Sequence, residues 1–220
     1  MIVTIDGPAG AGKSSAAKAL AQRLGFEFLD TGAMYRAVTL AALRGGVDLF
    51  DQRALAALLE PLRLEMRDGR VFLDDEDVTA AIRTAQVTRA SGRIADSPVV
   101  RRSLAALQRA LASGRNIVAE GRDQGTVVFP EAASKFFLVA DPMERARRRQ
   151  REMAGRGETL PLEEVLRAQE ERDRRDTTRD IAPMVPAADA LVLDTTHKSL
   201  DEIVDLMEKE VRRKWQPHVD

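Results

Sequence analysis

The chain has 220 residues and a formal net charge of −1, with 44% hydrophobic and 31% charged residues. This balance is typical of a globular protein, and it disfavours both a largely disordered chain and a protein whose main role is to coat nucleic acid. The lack of cysteine excludes disulfides and cysteine-based metal sites, and His197 and His218 are too far apart to suggest a metal centre.

No apolar run approaches the roughly 18 residues that a membrane-spanning helix needs. The first motif begins too close to Met1 for a signal peptide to precede it, so we expect a cytoplasmic protein. The length predicts one α/β domain with a single core and an insertion. The 34 basic residues include six lysines, which leaves 28 arginines, the side chain that binds phosphate with a planar fork. Genomic base composition would also enrich arginine.

A phosphate-binding loop follows the first predicted strand, Ile2–Ile5. The segment Gly7–Ser14, GPAGAGKS, matches the pattern G-x-x-x-x-G-K-[ST] and precedes a helix predicted over Ser14–Leu24. Glycines let backbone N–H groups face a polyphosphate, and the helix directs its positive end at the same anion. We expect Lys13 to reach the β/γ oxygens and Ser14 to ligate Mg²⁺. The expected triphosphate-binding residues are Gly7, Pro8, Ala9, Gly10, Ala11, Gly12, Lys13, Ser14 and Ser15.

A second strand is predicted over Phe26–Asp30, and Thr31 opens a helix that runs to Gly45. Asp30, Thr31 and Arg36 therefore follow the carboxyl end of a strand, which is the edge where parallel sheets bind ligands. They are candidates for a second substrate or for the magnesium shell. An ordinary helix cap followed by an exposed arginine is the alternative interpretation.

The middle of the chain changes in pattern. Asp51 is expected to cap a short helix, and from Leu62 apolar residues alternate with charged ones around the hairpin signal Asp68-Gly69. We interpret residues 62–82 as a small antiparallel insertion that acts as a lid or clamp and not as a separate domain. Thr84 and Pro98 then open two helices.

Two further strands are predicted over Asn116–Glu120 and Phe136–Ala140. An acid at the tip of an apolar strand suits a phosphate-loop enzyme that holds magnesium or its water shell, and this points to Glu120. Asp141-Pro142 begins the next helix, in which arginines cluster before Gly155 and Gly157. Those arginines are Arg145, Arg147, Arg148, Arg149 and Arg151.

The arginine cluster has two interpretations: a solvated helix face, or a mobile lid over about residues 145–160 that closes on the transferring phosphate. In the helix that begins at Pro161, residues Arg172, Asp176 and Arg179 share one face, either as a ligand site or as a surface ion-pair ladder. Ala190–Asp194 predicts the last strand. A capping box begins the final helix, whose expected inward residues are Ile203, Leu206, Met207 and Val211.

Several segments together resemble the bacterial cytidylate kinase family, within the P-loop nucleoside monophosphate kinases. They are GPAGAGKSS, LDTGAMYR, IRT followed by QV, EGRDQGTVVFP, ERDRRDTTR and APMVPAADALVLDTT, in the order of that family and over nearly the whole chain. The resemblance implies a three-layer αβα fold with a five-stranded parallel sheet, a small antiparallel insertion and an arginine-rich lid. It also implies transfer of a phosphoryl group from ATP, with Mg²⁺, to CMP or dCMP in pyrimidine nucleotide metabolism.

The family's CMP-binding roles correspond to positions in this sequence. The base-recognising hydroxyl matches Thr31, and the groups that read the cytosine edge match Arg101, Asp123 and Arg179. Arg172 and Asp176 match the pair that holds the ribose, and Arg36 and Arg122 match the arginines on the acceptor phosphate. This favours the ligand site over the ion-pair ladder. Gly92 stands where some members have a serine that touches the sugar, with Ser91 beside it.

The residues also agree with the implied chemistry, because an acceptor that is already a phosphate needs no general base. We expect Lys13, Arg148 and Arg151 to be catalytic, and Ser14 to bind the metal together with Asp30 and Glu120 through water. The expected partners are ATP and CMP or dCMP, without nucleic acid or membrane, and the chain is expected to be a monomer. The alternatives are another P-loop small-molecule kinase, acting on UMP or a metabolite hydroxyl, and a nucleotide-switched RNA-binding protein.

Overall fold

The computed structural model describes residues 1–67, 69–155 and 157–215. The chain divides into two compact units, one formed by Met1–Phe28 with Gly114–Asp220 and the other by Leu29–Ser113. Asp68 and His218, which the sequence analysis names, and Arg156, which falls in the predicted lid, lie outside the described residues. Within the described ranges, no helix is long and apolar enough to cross a membrane.

The strands are β1 (Ile2–Asp6), β2 (Glu27–Asp30), β3 (Leu64–Arg67), β4 (Arg70–Leu73), β5 (Glu76–Asp77), β6 (Ile117–Glu120), β7 (Ser134–Val139) and β8 (Leu191–Asp194). The α-helices are α1 (Lys13–Leu24), α2 (Thr31–Arg44), α3 (Gln52–Leu59), α4 (Ala85–Asp96), α5 (Pro98–Ala112), α6 (Pro142–Ala154), α7 (Leu162–Thr178) and α8 (Leu200–Lys214). Ala81–Arg83 forms a 3₁₀ turn and Gln124–Val128 a π-helical turn. The bounds of β1, β2, β6, β7 and β8 and the first residues of the α-helices lie within two residues of the predicted ones.

β1 is the central strand of a five-stranded sheet with the order β2-β6-β1-β7-β8. It pairs in parallel with β6 and β7, and Ile5 is level with Glu120 on one side and Phe136 on the other. β8 continues the sheet in parallel beyond β7. Because parallel strands share one carboxyl edge, the segments that follow β1 and β6 leave the sheet side by side. The predicted α/β fold with a five-stranded parallel sheet is confirmed.

α1 and α8 cover the apolar core of this sheet. Val3 and Ile5 of β1 pack there with Leu20 of α1, Phe136 of β7 and Met207 of α8, and all five are almost fully buried. The apolar residues Ala16, Ala17, Leu20, Ala21 and Leu24 of α1 are all buried. Gly25 ends that helix in the left-handed conformation, with φ of 69°, which a glycine adopts without the strain that a Cβ would add.

The predicted inward face of α8 is wrong at one position. Leu206 is 43% exposed, whereas Val204 is fully buried beside Ile203, Met207 and Val211. Each residue turns a helix by about 100°, so a stripe centred on 203, 204, 207 and 211 leaves position 206 on the solvent side. The capping box at the start of α8 is confirmed.

In the unit Leu29–Ser113, β3, β4 and β5 form an antiparallel three-stranded sheet within the predicted insertion. Leu64 of β3 pairs with Leu73 of β4, and both are buried. Helix caps follow the predicted pattern: Asp51 accepts N–H groups at the start of α3, and Thr84 does so at the start of α4. The small antiparallel sheet of the predicted fold is therefore also confirmed.

Candidate active site

The phosphate-loop motif occupies the turn between β1 and α1. Gly10 and Gly12 have φ of 78° and 86°, and a Cβ on Gly7 would lie 2.1 Å from the carbonyl oxygen of Leu138. These positions therefore require glycine. No side chain of the described residues caps α1, so the first amides of the helix can serve an anion.

Lys13 lies within this loop and is only 5% exposed. Its Nζ donates to the carbonyl oxygen of Pro8 at 2.7 Å, so the ammonium folds back over its own loop. Burial lowers the pKa of Lys13 to about 7, and the neighbouring Arg122 guanidinium adds to that effect while Glu120 opposes it. An anion held by the loop would counter the burial penalty and favour the charged ammonium.

Ser14 and Glu120 meet across the ends of two neighbouring elements. The Ser14 hydroxyl, on the first turn of α1, donates to Oε1 of Glu120 at 2.7 Å. Glu120 ends β6 and is 6% exposed. A hydroxyl beside a carboxylate is an all-oxygen donor set of the kind that Mg²⁺ prefers.

Asp6, the last residue of β1, was missed by the sequence analysis. Its carboxylate accepts the backbone N–H groups of Gln124 at 2.9 Å and Gly125 at 2.8 Å, and thereby holds the π-helical turn that follows Asp123. A Cβ on Gly125 would lie 2.9 Å from Thr4 Oγ1, so that turn approaches β1 as closely as a glycine allows. Burial raises the pKa of Asp6 to about 6, although the two N–H groups act in the opposite direction. The sequence does contain a signal for Asp6, because it is an acid at the end of an apolar strand, the same pattern that points to Glu120.

Acids and arginines from the segment after β6 and from α7 converge in the same unit. Arg179 is the residue that follows α7, so it lies just beyond the helix on which the sequence analysis placed it. Arg122 Nε lies 3.2 Å from Asp176 Oδ2, and Arg172 and Arg179 each approach the Asp176 carboxylate at 3.9 Å. Arg179 also approaches Asp123 at 3.9 Å. Asp123 and Asp176 are 4% and 8% exposed. These five residues, which the resemblance assigns to CMP, therefore form one cluster around two buried carboxylates, although the Arg172 side chain is 41% exposed.

Asp30 and Thr31 lie in the unit Leu29–Ser113, where α2 begins. Asp30 Oδ1 accepts the N–H of Ala33 at 2.9 Å and caps the helix, as the alternative interpretation of this acid expects. Its Oδ2 lies 3.9 Å from Arg83. Thr31 is 2% exposed. The cap leaves open a further role for either side chain.

Arg36 and Arg101 are also positioned by contacts within their own unit. Arg36 donates to the Thr88 hydroxyl at 2.7 Å. Arg101 is buried, donates to the carbonyl oxygen of Ala95 at 2.9 Å and lies 5.6 Å from the centre of the Tyr35 ring. A buried guanidinium held in this way is an oriented donor, as base recognition needs.

The departure at Gly92 falls within α4. Ser91 belongs to the buried face of this helix, and its hydroxyl donates to the carbonyl oxygen of Thr88 at 3.0 Å. Ser91 could donate to the sugar only if that bond were exchanged, whereas its oxygen can accept from a sugar hydroxyl with the bond in place.

The predicted catalytic arginines of α6 differ in their surroundings. Arg148 donates to the carbonyl oxygens of Thr195 at 2.6 Å and Thr196 at 3.2 Å, so its guanidinium ties α6 to the segment after β8. The side chain of Arg151 is 69% exposed and lies 3.2 Å from Glu144. Arg151 can therefore reorient with less loss of structure than Arg148.

Arg145 begins the same arginine run but is buried, with 6% exposure. Its guanidinium donates to the carbonyl oxygens of Ala140 at 3.1 Å and Ala9 at 3.0 Å, and it forms an ion pair with Asp173 of α7. These contacts could not be predicted from the sequence, because nothing local distinguishes Arg145 from the exposed arginines that follow it.

A glycine-rich phosphate loop after a central parallel strand, with an acid at the end of the adjacent strand, defines the class of P-loop proteins that bind nucleoside triphosphates. The fold is similar to a solved shikimate kinase from Bacteroides thetaiotaomicron, with a TM-score of 0.51, 13% identity and coverage of 96% of this chain and 98% of that one. At this identity the similarity shows the fold alone.

The family is shown by sequence. The family model described as cytidylate kinase matches residues 3–213. The chain is 50% identical over 203 residues to a cytidylate kinase of Rhodopirellula baltica, with 92% of this chain and 89% of that protein covered. It is 49% identical over 210 residues to a cytidylate kinase of Pelotomaculum thermopropionicum, with 93% of each covered. The chain belongs to the cytidylate kinase family, and it is an ATP-dependent nucleoside monophosphate kinase.

Proposed function

We propose that this enzyme transfers the γ-phosphoryl group of ATP to CMP or dCMP, giving ADP and CDP or dCDP. One observation carries the proposal: β1 and β6 are parallel neighbours, with Ile5 level with Glu120 and the N–H of Gly121 donating to Ile5 at 3.0 Å. The phosphate loop and the segment with Arg122 and Asp123 therefore leave one sheet edge together. A donor phosphate and an acceptor phosphate need such proximity.

The donor site in this proposal consists of residues 7–15, with the ATP phosphates on the loop amides and on Lys13. The bond from Lys13 to Pro8 is exchanged for bonds to the β/γ oxygens. Because the ammonium is preorganised in a buried loop, it stabilises negative charge more effectively than a solvated lysine does.

Magnesium fits this donor site, because the Ser14 hydroxyl and Glu120 carboxylate already lie 2.7 Å apart. Ser14 would ligate the ion and Glu120 would hold its water shell, a role that the sequence also suggests for Asp30. When bound, Mg²⁺ supplies neutralisation of charge on the β/γ oxygens.

For the acceptor, Asp123 and Arg179 offer complementary groups to a cytosine edge. A carboxylate accepts from the exocyclic amino group, and a guanidinium donates to ring acceptors. The Asp176 carboxylate and Arg172 suit the sugar hydroxyls, and Arg122 suits the acceptor phosphate. Within the unit Leu29–Ser113, the proposal assigns Thr31 and Arg101 to the base and Arg36 to the phosphate.

Catalysis then consists of positioning and charge neutralisation. The CMP phosphate attacks as an anion, so no residue is needed to remove a proton. We assign to Arg148 and Arg151 contacts with the transferring phosphoryl group, within a lid over about residues 145–160. The proposal treats residues 1–220 as one kinase domain with a CMP-binding insertion at about 62–82, acting as a cytoplasmic monomer.

A coupled ADP-release assay tests the function directly, with CMP, dCMP, UMP, AMP and shikimate as acceptors. We expect turnover with the two cytidine nucleotides to exceed that with the others by at least about 100-fold. An acceptor without the hydrogen-bonding edge of cytosine would leave the buried polar groups of the base site unpaired. Strong turnover of UMP or shikimate would instead favour another small-molecule kinase. RNA retention without acceptor-stimulated turnover would favour a nucleotide switch.

A further inference from the structure

The phosphate loop rests on two side chains outside the motif. Ala9, in the middle of the loop, has its carbonyl oxygen 3.0 Å from Nη1 of Arg145 and its N–H 3.4 Å from Oδ1 of Asp173. Arg145 belongs to α6 and Asp173 to α7. Both polar groups of one loop residue are therefore bound by a pair of opposite charges.

That pair is itself enclosed. The side chains of Arg145 and Asp173 are 7% and 15% exposed, and Arg145 also donates to the carbonyl oxygen of Ala140. An ion pair in such a place tolerates the loss of one partner poorly, because the other charge then stays buried without compensation. The buried pair therefore restricts the position of the Arg145 guanidinium more than a surface ion pair would.

The neighbouring loop residue packs against the same two helices. A Cβ added to Gly10 would lie 2.9 Å from Nε2 of Gln169 and 3.0 Å from the carbonyl oxygen of Arg145. Gln169 lies one helical turn before Asp173 on α7 and is 6% exposed. The loop thus has no room to shift toward α6 or α7.

We propose that Arg145 and Asp173 are positioning residues that hold the phosphate loop in its ATP-binding conformation. They touch the loop backbone on the side of Ala9 and act on ATP through it. This inference rests on the proposed assignment of residues 7–15 to the ATP phosphates. The proposed role also connects the ATP site with the CMP site. Asp173 contacts the phosphate loop, and it lies on the same helix as Arg172 and Asp176, which are proposed to bind the sugar of CMP.

Initial-rate kinetics with ATP varied at saturating CMP, and the reverse, test the proposal. For Asp173→Asn and Arg145→Gln we expect KM for ATP to rise about ten-fold and KM for CMP to change much less, since the lost bonds involve charged partners. In the double variant neither partner is left as a lone buried charge. Its effect should be smaller than the two single effects combined.

Arg145→Lys provides a variant that keeps the buried charge. A lysine can pair with Asp173, but it lacks the fork needed to serve that carboxylate and the Ala9 carbonyl together. We expect it to fold and still raise KM for ATP. Arg212→Gln and Asp205→Asn on α8, which break surface ion pairs with Glu208 and Arg23, are the matched controls and should leave both KM values unchanged.

Folded Arg145 and Asp173 variants with unchanged KM for ATP would overturn the proposal and leave the pair a purely structural one. The assignment of the loop is tested separately by Lys13→Ala. If that variant also uses ATP normally, the proposed ATP site fails. If it loses activity while the Arg145 and Asp173 variants do not, only the positioning role fails.

Discussion

Ser14 Oγ donates to Glu120 Oε1 at 2.7 Å, although 106 residues separate them in the chain. The bond joins the first turn of α1 to the end of β6. It brings the serine of the phosphate loop and the only acid of β6 together at the proposed magnesium site.

Glu120→Gln keeps an oxygen that can accept from Ser14 but removes the negative charge. We expect the magnesium concentration for half-maximal activity to rise about 10-fold or more, because groups that orient a metal's water shell contribute on this scale. The measurement is a magnesium titration at saturating ATP and CMP, with thermal unfolding as the check on folding. An unchanged titration curve would remove Glu120 from the magnesium shell.

Lys13→Ala should lower kcat by on the order of 10² or more, because a preorganised buried cation stabilises charge that moves in the transition state. Steady-state kinetics at saturating substrates measures the effect. The variant should remain folded, since burial of the ammonium opposes its charged form in the native protein. An unaltered kcat would exclude Lys13 from catalysis.

Asp123→Ala should raise KM for CMP by about 10- to 100-fold, the range expected when a charged hydrogen-bonding group is lost. KM for ATP should change by less than about two-fold, because Asp123 is proposed to contact CMP and not ATP. The exposed Asp180 offers a matched control in Asp180→Ala. Equal losses for both substrates would assign Asp123 to the donor site or to the fold.

Arg148→Gln and Arg151→Gln should separate structural from catalytic arginines on α6. Arg148 donates to two backbone carbonyl oxygens, so its loss should lower the free energy of unfolding by about 1–3 kcal/mol together with kcat. Arg151 is exposed, and its replacement should lower kcat alone. Urea unfolding and kinetics on both variants provide the comparison. A stable Arg148→Gln enzyme with full kcat would contradict both assignments for that residue.

Asp6→Asn should change how stability depends on pH. The pKa of Asp6 is raised from 3.8 to about 6, so between these values the native protein keeps a proton that the unfolded chain has lost. The free energy of unfolding of the wild type therefore falls as pH rises through this window, by about 3 kcal/mol in total from this group.

The Asp6→Asn variant lacks this pH-dependent contribution to the free energy of unfolding. Its stability relative to the wild type should increase by up to about 3 kcal/mol between pH 4 and pH 7. Urea unfolding of both proteins across this range measures the difference. Lys13 and Asp123, which face the carboxyl, are present in both proteins. A difference that stays constant with pH would show that Asp6 is ionised in the native state throughout.

The sequence alone determined the elements and the motifs. The loop pattern, the cap at Asp51, the Gly25 helix stop and the alternation after Leu62 each depend on residues within a few positions, where backbone preferences and hydrogen bonds act. The resemblance carried by longer segments also assigned Arg122, Asp123, Arg172, Asp176 and Arg179 to one ligand. The structure brings those five together.

Only the tertiary structure decided which residues that look equivalent in the sequence have different surroundings and contacts. Arg145 and Arg151 belong to one arginine run, yet one is buried against Ala9 and the other is exposed, because helix phase places them on different faces. Asp6 accepts bonds from residues 118 and 119 positions away, and Ala9 meets Asp173 across 164. Such contacts follow from strand register and helix packing over the whole fold, and no local pattern contains that information.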